Sequence, residues 1–573
     1  MKLLSSVLSL LAMLFLFSGK AHTQEIVHDA EYYILEAQNG EVWKVEDQEL
    51  DQKLAELREK YGQPPNIVHF MWDDQPFGAV GIPAMQQIRG YRTPNLNQMA
   101  AEGMLFTRMY SEPSCTPTRA AAWSGQHPIR NGMYKVGFPI EYSGIAKDVV
   151  TVGEVMSEAG YATGFYGKAH LGDVAESWPH HQGFDESFTA IYNQVVSLWN
   201  PQAEAANAVV GLFEEALPRN PYKLDHTFSP KGYVFYIEGT KGGETREWCG
   251  IEVECYMQFD KEASKRALAF IAKNAKQKKP FFVEWWPLFT PFIPAPQKAS
   301  LQRGLVGDAY TVNLDPTVGL LMKTLNDLDI AENTLVVAMS DNGPMTHNPP
   351  PGAGLGEGPF RGGKGDFLEG GVRVAAQAWW PGVIEPGQIA DDIFHVTDLY
   401  TTFARLGGAL KHIPTDRVID GIDQTALLLI GDTHGRRDYV HIYAGPQLGA
   451  TIKGQYKVHW ISSDQSQARS GITSAFDLYN DHREVNPLVV NALHFKEPFR
   501  RMRARHEVWI RKYPHMPAAS GLAYADIVNP RPETRALSNP PVDFKRLPFD
   551  PREVLDELEK LPYDPGGEPD YGR

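Results

Sequence analysis

The sequence predicts an α/β protein: a large, mostly parallel mixed sheet flanked by helices, then a smaller C-terminal antiparallel sheet with a helix. Three observations point there. Between Pro65 and about Ile430, helical patterns alternate with short β-branched and aromatic runs, as in strand–helix–strand units. From about Arg437 the pattern changes, and YVHIYA, ATIKGQYKVHWI and AFDLYN read as successive strands. Of four apolar runs in the first part, three end in charged or metal-competent side chains. In open α/β sheets ligands bind beyond the carboxyl ends of the strands.

Each segment has its own warrant. Residues 1–21 carry Lys2, the apolar run LLSSVLSLLAMLFLF and the small residues Gly19 and Ala21, which reads as a cleaved secretory signal peptide. The run approaches spanning length, so an N-terminal membrane anchor is the competing reading. Residues 22–62 form a polar N-terminal extension in which DQELDQKLAELREKYG predicts an amphipathic helix. Residues 63–430 hold the predicted catalytic α/β domain, and 431–516 a smaller subdomain with a helix near 497–512. Residues 517–573 form a tail rich in proline and acid, expected to be extended. The chain is thus expected to be exported, periplasmic or secreted, without stable membrane insertion after cleavage. Its net charge of −15 argues against a nucleic-acid partner.

There are three cysteines. Export makes a disulfide allowable, and Cys249 and Cys255 in WCGIEVECY are spaced to bridge a small loop or hairpin or to remain free thiols. Cys115 is then the odd thiol.

The strand ends supply the candidate site. NIVHFMW runs into Asp73 and Asp74, NTLVVAMS into Asp341 and Asn342, and YATGFY into Lys168 and His170, while PFFVEWW continues into PLFTPFIP. Asp73, Asp74, Asp341 and Asn342 offer only oxygen ligands. That selects calcium or magnesium over zinc, and the mixture of carboxylate and amide leans towards calcium. Taken singly, each is also an ordinary turn or cap residue. Arg119, Lys168, Lys364 and His170 around such a cation describe a receptacle for a tetrahedral oxyanion. In SCTPTRAAAWSGQ, Pro117 suits the first turn of a helix running to Gly125, which puts Cys115 at its N-terminus. That position suits a reactive thiol of low pKa, and a buried structural cysteine is the plainer alternative.

CTPTR resembles the C-x-P-x-R core of the sulfatase family, the arylsulfatase-like, formylglycine-dependent members of the alkaline phosphatase superfamily. PNIVHFMWDD resembles its first metal strand, GKAHLG its Lys/His motif, SDNGP its second metal strand, FRGGKGDFLEGGVRV the loop with its second lysine, and FDLYNDHREVNPL its C-terminal segment. The likeness spans roughly residues 63–500. It implies sulfate-ester hydrolysis by an arylsulfatase-type enzyme. Cys115 would be converted to Cα-formylglycine by a formylglycine-generating enzyme, and its hydrated aldehyde would be the nucleophile.

The resemblance also assigns roles. One calcium would be held by Asp73, Asp74, Asp341, Asn342 and the residue-115 oxygen. Arg119 would neutralise charge there, Lys168 and Lys364 would clamp sulfate, His170 would be the base for sulfate release, and Asn193 would contact diol or sulfate. The partner would be a sulfated small molecule or glycan. Three positions depart from the family pattern: Phe292 stands where a leaving-group histidine is common, Gln126 where arginine is frequent, and Ala169 where tryptophan is usual, the last predicting a wider pocket. His347 or Lys364 could then supply the acid. Two other functions fit part of the pattern: a phosphate or phosphonate ester hydrolase of the same fold, and a non-catalytic, calcium-dependent binder of sulfated glycans.

Overall fold

A computed structural model describes residues 25–89, 92–137, 143–193, 235–249, 253–288, 314–344, 358–461, 470–488 and 492–513. The signal segment, the C-terminal tail, Phe292 and His347 lie outside the described residues.

The large sheet has eleven strands: β1 (Asn66–Trp72), β2 (Met104–Tyr110), β3 (Ala162–Lys168), β4 (Glu186–Ala190), β5 (Tyr236–Thr240), β6 (Arg246–Cys249), β7 (Phe281–Trp286), β8 (Thr334–Ser340), β9 (Arg373–Trp379), β10 (Gln388–Ala390) and β11 (Phe394–His395). Their order is β10-β2-β9-β8-β1-β7-β3-β4-β5-β6, with β11 also on β2. The four apolar runs of the sequence are the central strands β8, β1, β7 and β3, all parallel neighbours. The antiparallel pairings lie outside them, β9 against β8 and β2, and β5 between β4 and β6. The sheet is therefore mixed but mostly parallel, as expected.

Alternation along β1 explains how a wholly buried strand serves two cores. Val68, Phe70 and Trp72 belong to one apolar cluster with Phe259 and Leu321; Ile67 and Met71 belong to another with Trp123 and Phe403. Helices Val253–Gln277 and Asp315–Asp327 contribute to the first, and Cys115–Ser124, Val152–Glu158 and Asp398–Gly407 to the second. The sheet is the middle layer of three.

The second sheet is an antiparallel meander of β12 (Tyr439–Ala444), β13 (Gln447–Lys453), β14 (Tyr456–Ile461) and β15 (Ser470–Asp477), followed by helix Ala492–Lys512. Buried ion pairs join it to the large unit. Lys457 lies between Glu369 (3.0 Å) and Glu484 (2.9 Å), and Arg437 pairs with Asp398 at 2.5 Å.

One element departs from expectation. The N-terminal helix runs from Ala30 to Tyr61, twice the stretch predicted. Its first turn is held by the C-terminal subdomain through Glu31 with Arg505 (2.6 Å) and Lys453 (3.3 Å). Cys249 and Cys255 form a disulfide that closes a small loop at a strand-to-helix junction: Cys249 ends β6 and Cys255 lies in the first turn of Val253–Gln277.

Candidate active site

Register alone brings the first two acidic motifs together. Trp72 of β1 pairs with Ser340 of β8, so Asp73 and Asp341 leave the same sheet edge side by side, and Asp341 N–H donates to the Trp72 carbonyl at 2.8 Å. Lys168 ends β3, two strands over from β1, and reaches past β7 to place Nζ 2.5 Å from Asp73 Oδ2.

The third contributor is helix Cys115–Ser124, which leaves the same edge after β2. Ser114 is its N-cap, Pro117 sits in its first turn, and Gly125 ends it at φ 66°. A side chain at Gly125 would strike the Tyr400 ring at 2.6 Å, so the stop is enforced by packing as well as by backbone preference. Arg119 lies one turn in and is fully buried. Its guanidinium donates to Asp73, to Asp341 Oδ2 (3.0 and 3.2 Å) and to the Lys168 carbonyl (2.6 Å), and stacks over Trp286 at 5.1 Å.

Lys364 closes the cluster from the glycine-rich loop. Its Nζ is 2.8 and 3.0 Å from the two Asp74 oxygens and 2.9 Å from Cys115 Sγ. Asn342 donates to Asp74 Oδ1 at 2.7 Å, and Asp74 N–H donates to Asp341 Oδ1 at 3.0 Å. His170, two residues beyond β3, is buried with Nε2 2.9 Å from the Gly137 carbonyl. Asn193 follows β4 and Tyr192, whose ring stands edge-on to His170 at 5.4 Å. Eight of the ten candidate residues are thus linked by the contacts above; His170 lies two residues beyond Lys168, and Asn193 follows the Tyr192 that packs on His170.

The electrostatics are those of a crowded, dry site. Burial and the neighbouring Asp73 push Asp341 up to about 7. Burial pushes Asp73 the same way, but Lys168 and Arg119 outweigh it and hold that carboxyl well below its usual range. Burial, with Asp341 and Asp74 beside it, raises the Cys115 thiol far above an ordinary cysteine. This corrects the low-pKa reading: desolvation and two carboxylates overcome the helix N-terminus, and the unmodified thiol is a poor nucleophile. Burial and then Lys168 push His170 well below its ordinary value, so its ring is neutral at neutral pH.

The residues fit a hard cation. Atoms of Asp73, Cys115 and Asp341 lie within 4.8 Å of one another, and the Asn342 side-chain oxygen is buried without a hydrogen-bond partner. Three carboxylates face three fixed cations, Arg119, Lys168 and Lys364. Adding a divalent cation would make the site net positive, which suits an anionic ester.

One expectation does not carry over. Ala169 is buried within the apolar cluster that includes Trp123 and Leu171, so it does not widen a pocket. Gln126 is buried and donates to the Val418 carbonyl at 2.7 Å. Sequence reasoning missed Trp286 beneath Arg119 and the Gly137 carbonyl on His170. Neither belongs to a motif, and only the folded geometry brings them in.

Comparison with known proteins agrees with this geometry. The Sulfatase family model matches residues 65–288 and 308–409. N-acetylgalactosamine-6-sulfatase of Canis lupus familiaris is 34% identical over 430 residues, 72% of this chain and 74% of that protein. Arylsulfatase A of Homo sapiens is 34% identical over 425 residues, 72% and 77% of the two chains. The solved PsFucS1 sulfatase from Pseudoalteromonas sp. superposes with a TM-score of 0.72 at 28% identity, covering 82% of this chain and 95% of its own.

Proposed function

The chain belongs to the sulfatase family and is a sulfuric ester hydrolase, and we propose that it acts through a Cα-formylglycine made from Cys115, with one bound calcium, on a sulfated sugar. One observation carries the reading. Cys115 sits at a helix N-terminus 2.9 Å from Lys364 Nζ, among the carboxylates of two neighbouring strands, yet its own thiol is disabled by burial. Its Sγ stands in for the oxygen of a modified side chain. The modification would supply a geminal diol, with one oxygen to attack sulfur and a second whose deprotonation expels sulfate. Asp73, Asp74, Asp341 and Asn342 would hold the calcium, which supplies Lewis-acid polarisation of the residue-115 and sulfate oxygens.

The chain's own groups do the rest. Lys364 is the most accessible of the three cations, its side chain 14% accessible, and meets the incoming sulfate. Lys168 lies behind it and fixes Asp73, so its charge stabilises the developing transition state with little reorganisation. Arg119 bridges Asp73 and Asp341 and offsets part of their mutual repulsion. His170 accepts the proton of the second diol oxygen, and Asn193 contacts the diol or sulfate. The likeness to N-acetylgalactosamine-6-sulfatase supports a sugar substrate. A formylglycine-generating enzyme is the implied partner, and the apolar segment before residue 22 implies export. No helix among the described residues is long and apolar enough to cross a membrane.

The test joins mass analysis of the Cys115 peptide to assays on aryl sulfates of graded leaving-group pKa and on 6-sulfated N-acetylgalactosamine. An aldehyde at residue 115 with turnover of sulfate esters is expected. With Phe292 in the usual histidine position, rates should fall steeply as leaving-group pKa rises, since general acid help is worth about 10²–10⁴. Turnover of phosphate esters alone would favour the sibling hydrolase, and binding without turnover the non-catalytic reading.

A further inference from the structure

Thr116, the residue after Cys115, reaches the proposed base through a single peptide unit. Its Oγ1 accepts from Gly137 N–H at 3.0 Å. The Gly137 carbonyl is 2.9 Å from His170 Nε2. A carbonyl oxygen has no proton to give, so the ring proton is on Nε2 and the lone pair on Nδ1. Nδ1 is buried and has no hydrogen-bond partner. His170 backbone is in the left-handed region at φ 57°, its N–H is bonded to the Ile191 carbonyl at 2.9 Å, and the Tyr192 ring lies edge-on beside it. Gly137 is fitted to the arrangement: a Cβ there would stand 3.1 Å from the Tyr192 ring and 3.7 Å from Thr116 Oγ1.

Resting on the proposed reaction, we propose that Thr116 and the Gly137 peptide are positioning groups that hold His170 in its Nε2–H tautomer, leaving Nδ1 as the atom that takes the proton from the hydrated residue 115. The nucleophile and its base are thereby set by adjacent residues of one helical turn. Cys115 carries the reacting oxygens, and Thr116 orients the peptide that orients the base. No redox change is involved: the proton passes from the diol oxygen to Nδ1, the C–O bond to sulfate breaks, and the aldehyde re-forms.

The experiment compares Thr116→Val, which keeps the shape and loses the hydroxyl, with Thr116→Ser, which keeps the hydroxyl. The full-length protein is used, and rates are normalised to the aldehyde content of residue 115. Because only sulfate release is slowed, Thr116→Val should lower kcat about 10- to 100-fold, with KM falling in parallel, kcat/KM unchanged and sulfated enzyme accumulating. Thr116→Ser should restore kcat. Equal losses in kcat and kcat/KM, or an unchanged kcat, would overturn the proposal. Long-range ¹H–¹⁵N spectra of ¹⁵N-histidine-labelled protein, with His170 assigned from His170→Gln, give a readout independent of turnover. Nε2–H is expected in the unsubstituted protein and a mixture of tautomers in Thr116→Val; Nδ1–H in the unsubstituted protein would overturn the proposal. Absence of sulfate-ester turnover would instead refute the proposed reaction, leaving the tautomer measurable.

Discussion

Helix Cys115–Ser124 has a buried charged cluster at each end, and the two are built to opposite rules. Beyond its C-terminus, Arg130 pairs with Asp420 (2.8 and 3.1 Å) and Asp29 (2.8 Å), Asp420 also accepts from His127 N–H at 2.7 Å, and the His127 ring meets Glu112 at 2.8 Å. At its N-terminus three carboxylates crowd together, the Asn342 oxygen and His170 Nδ1 go unpartnered, and Asp74 and His170 take left-handed backbone at φ 53° and 57°. One carboxylate from each end makes the contrast. Burial raises both, but Arg130 and His127 pull Asp420 below its usual range, whereas Asp73 drives Asp341 higher. In the first cluster neighbouring cations outweigh burial on the carboxylate, as in a structural clasp; in the second a like charge adds to burial, the pattern expected of a site that takes up a ligand.

Spacing alone does not separate the two. Glu112, His127 and His395 also lie close enough to hold a metal. There, however, His127 Nδ1 is already paired with Glu112 at 2.8 Å and His395 Nδ1 with Thr397 Oγ1 at 2.8 Å.

The comparison breaks first at Asp341. Asp341→Ala should lower turnover by about 10³-fold or more, comparable to losing a principal transition-state stabiliser. It should also remove calcium binding while the protein stays folded, and full turnover of this variant in chelator would end the shared-site argument. Asp420→Asn should do the reverse. Breaking a buried pair costs about 3–5 kcal/mol, read as a lower denaturation midpoint, with turnover per folded molecule little changed. If it abolishes turnover while leaving the midpoint in place, the clasp is part of the machinery.

Smaller effects sharpen the distinction. Saturating calcium should raise stability by about 3 kcal/mol at a hundred times its dissociation constant, an increment that chelator removes and that Asp341→Ala does not show. The clasp should respond to acid. Asp420 has a depressed folded-state value against 3.8 for the free group. The unfolded chain therefore takes up the proton first, and stability is complete above about 3.8 and lost as pH falls below it. In Asp420→Asn that part of the acid-unfolding curve should flatten, and an unchanged curve would mean that Asp420 is not held as described.

What the sequence revealed and what it hid divide along the same line. The central strands were legible because buried parallel strands are continuous apolar runs, and the cation residues because they follow those runs directly. Neither left-handed residue was legible, since aspartate and histidine carry no mark of φ. Neither Thr116 nor Gly137 is among the candidate site residues of the sequence, because a backbone hydrogen bond leaves no trace in residue type. The N-terminal helix was read at half its length because its first half has no clean apolar stripe, and contacts such as Glu31 with Arg505 hold that end.

The enclosure of Cys115 has a meaning in time. The thiol is wholly inaccessible, and Lys364, which closes over it, lies 249 residues further along the chain. At about 5–20 residues per second of synthesis, roughly 10–50 s pass between the appearance of the cysteine and that of its lid. On the proposed reading, an enzyme that modifies this side chain would find it open during that interval, while β8 and the glycine-rich loop do not yet exist. Maturation and folding would then compete for one residue, and a chain that folded first would enclose an unmodified thiol.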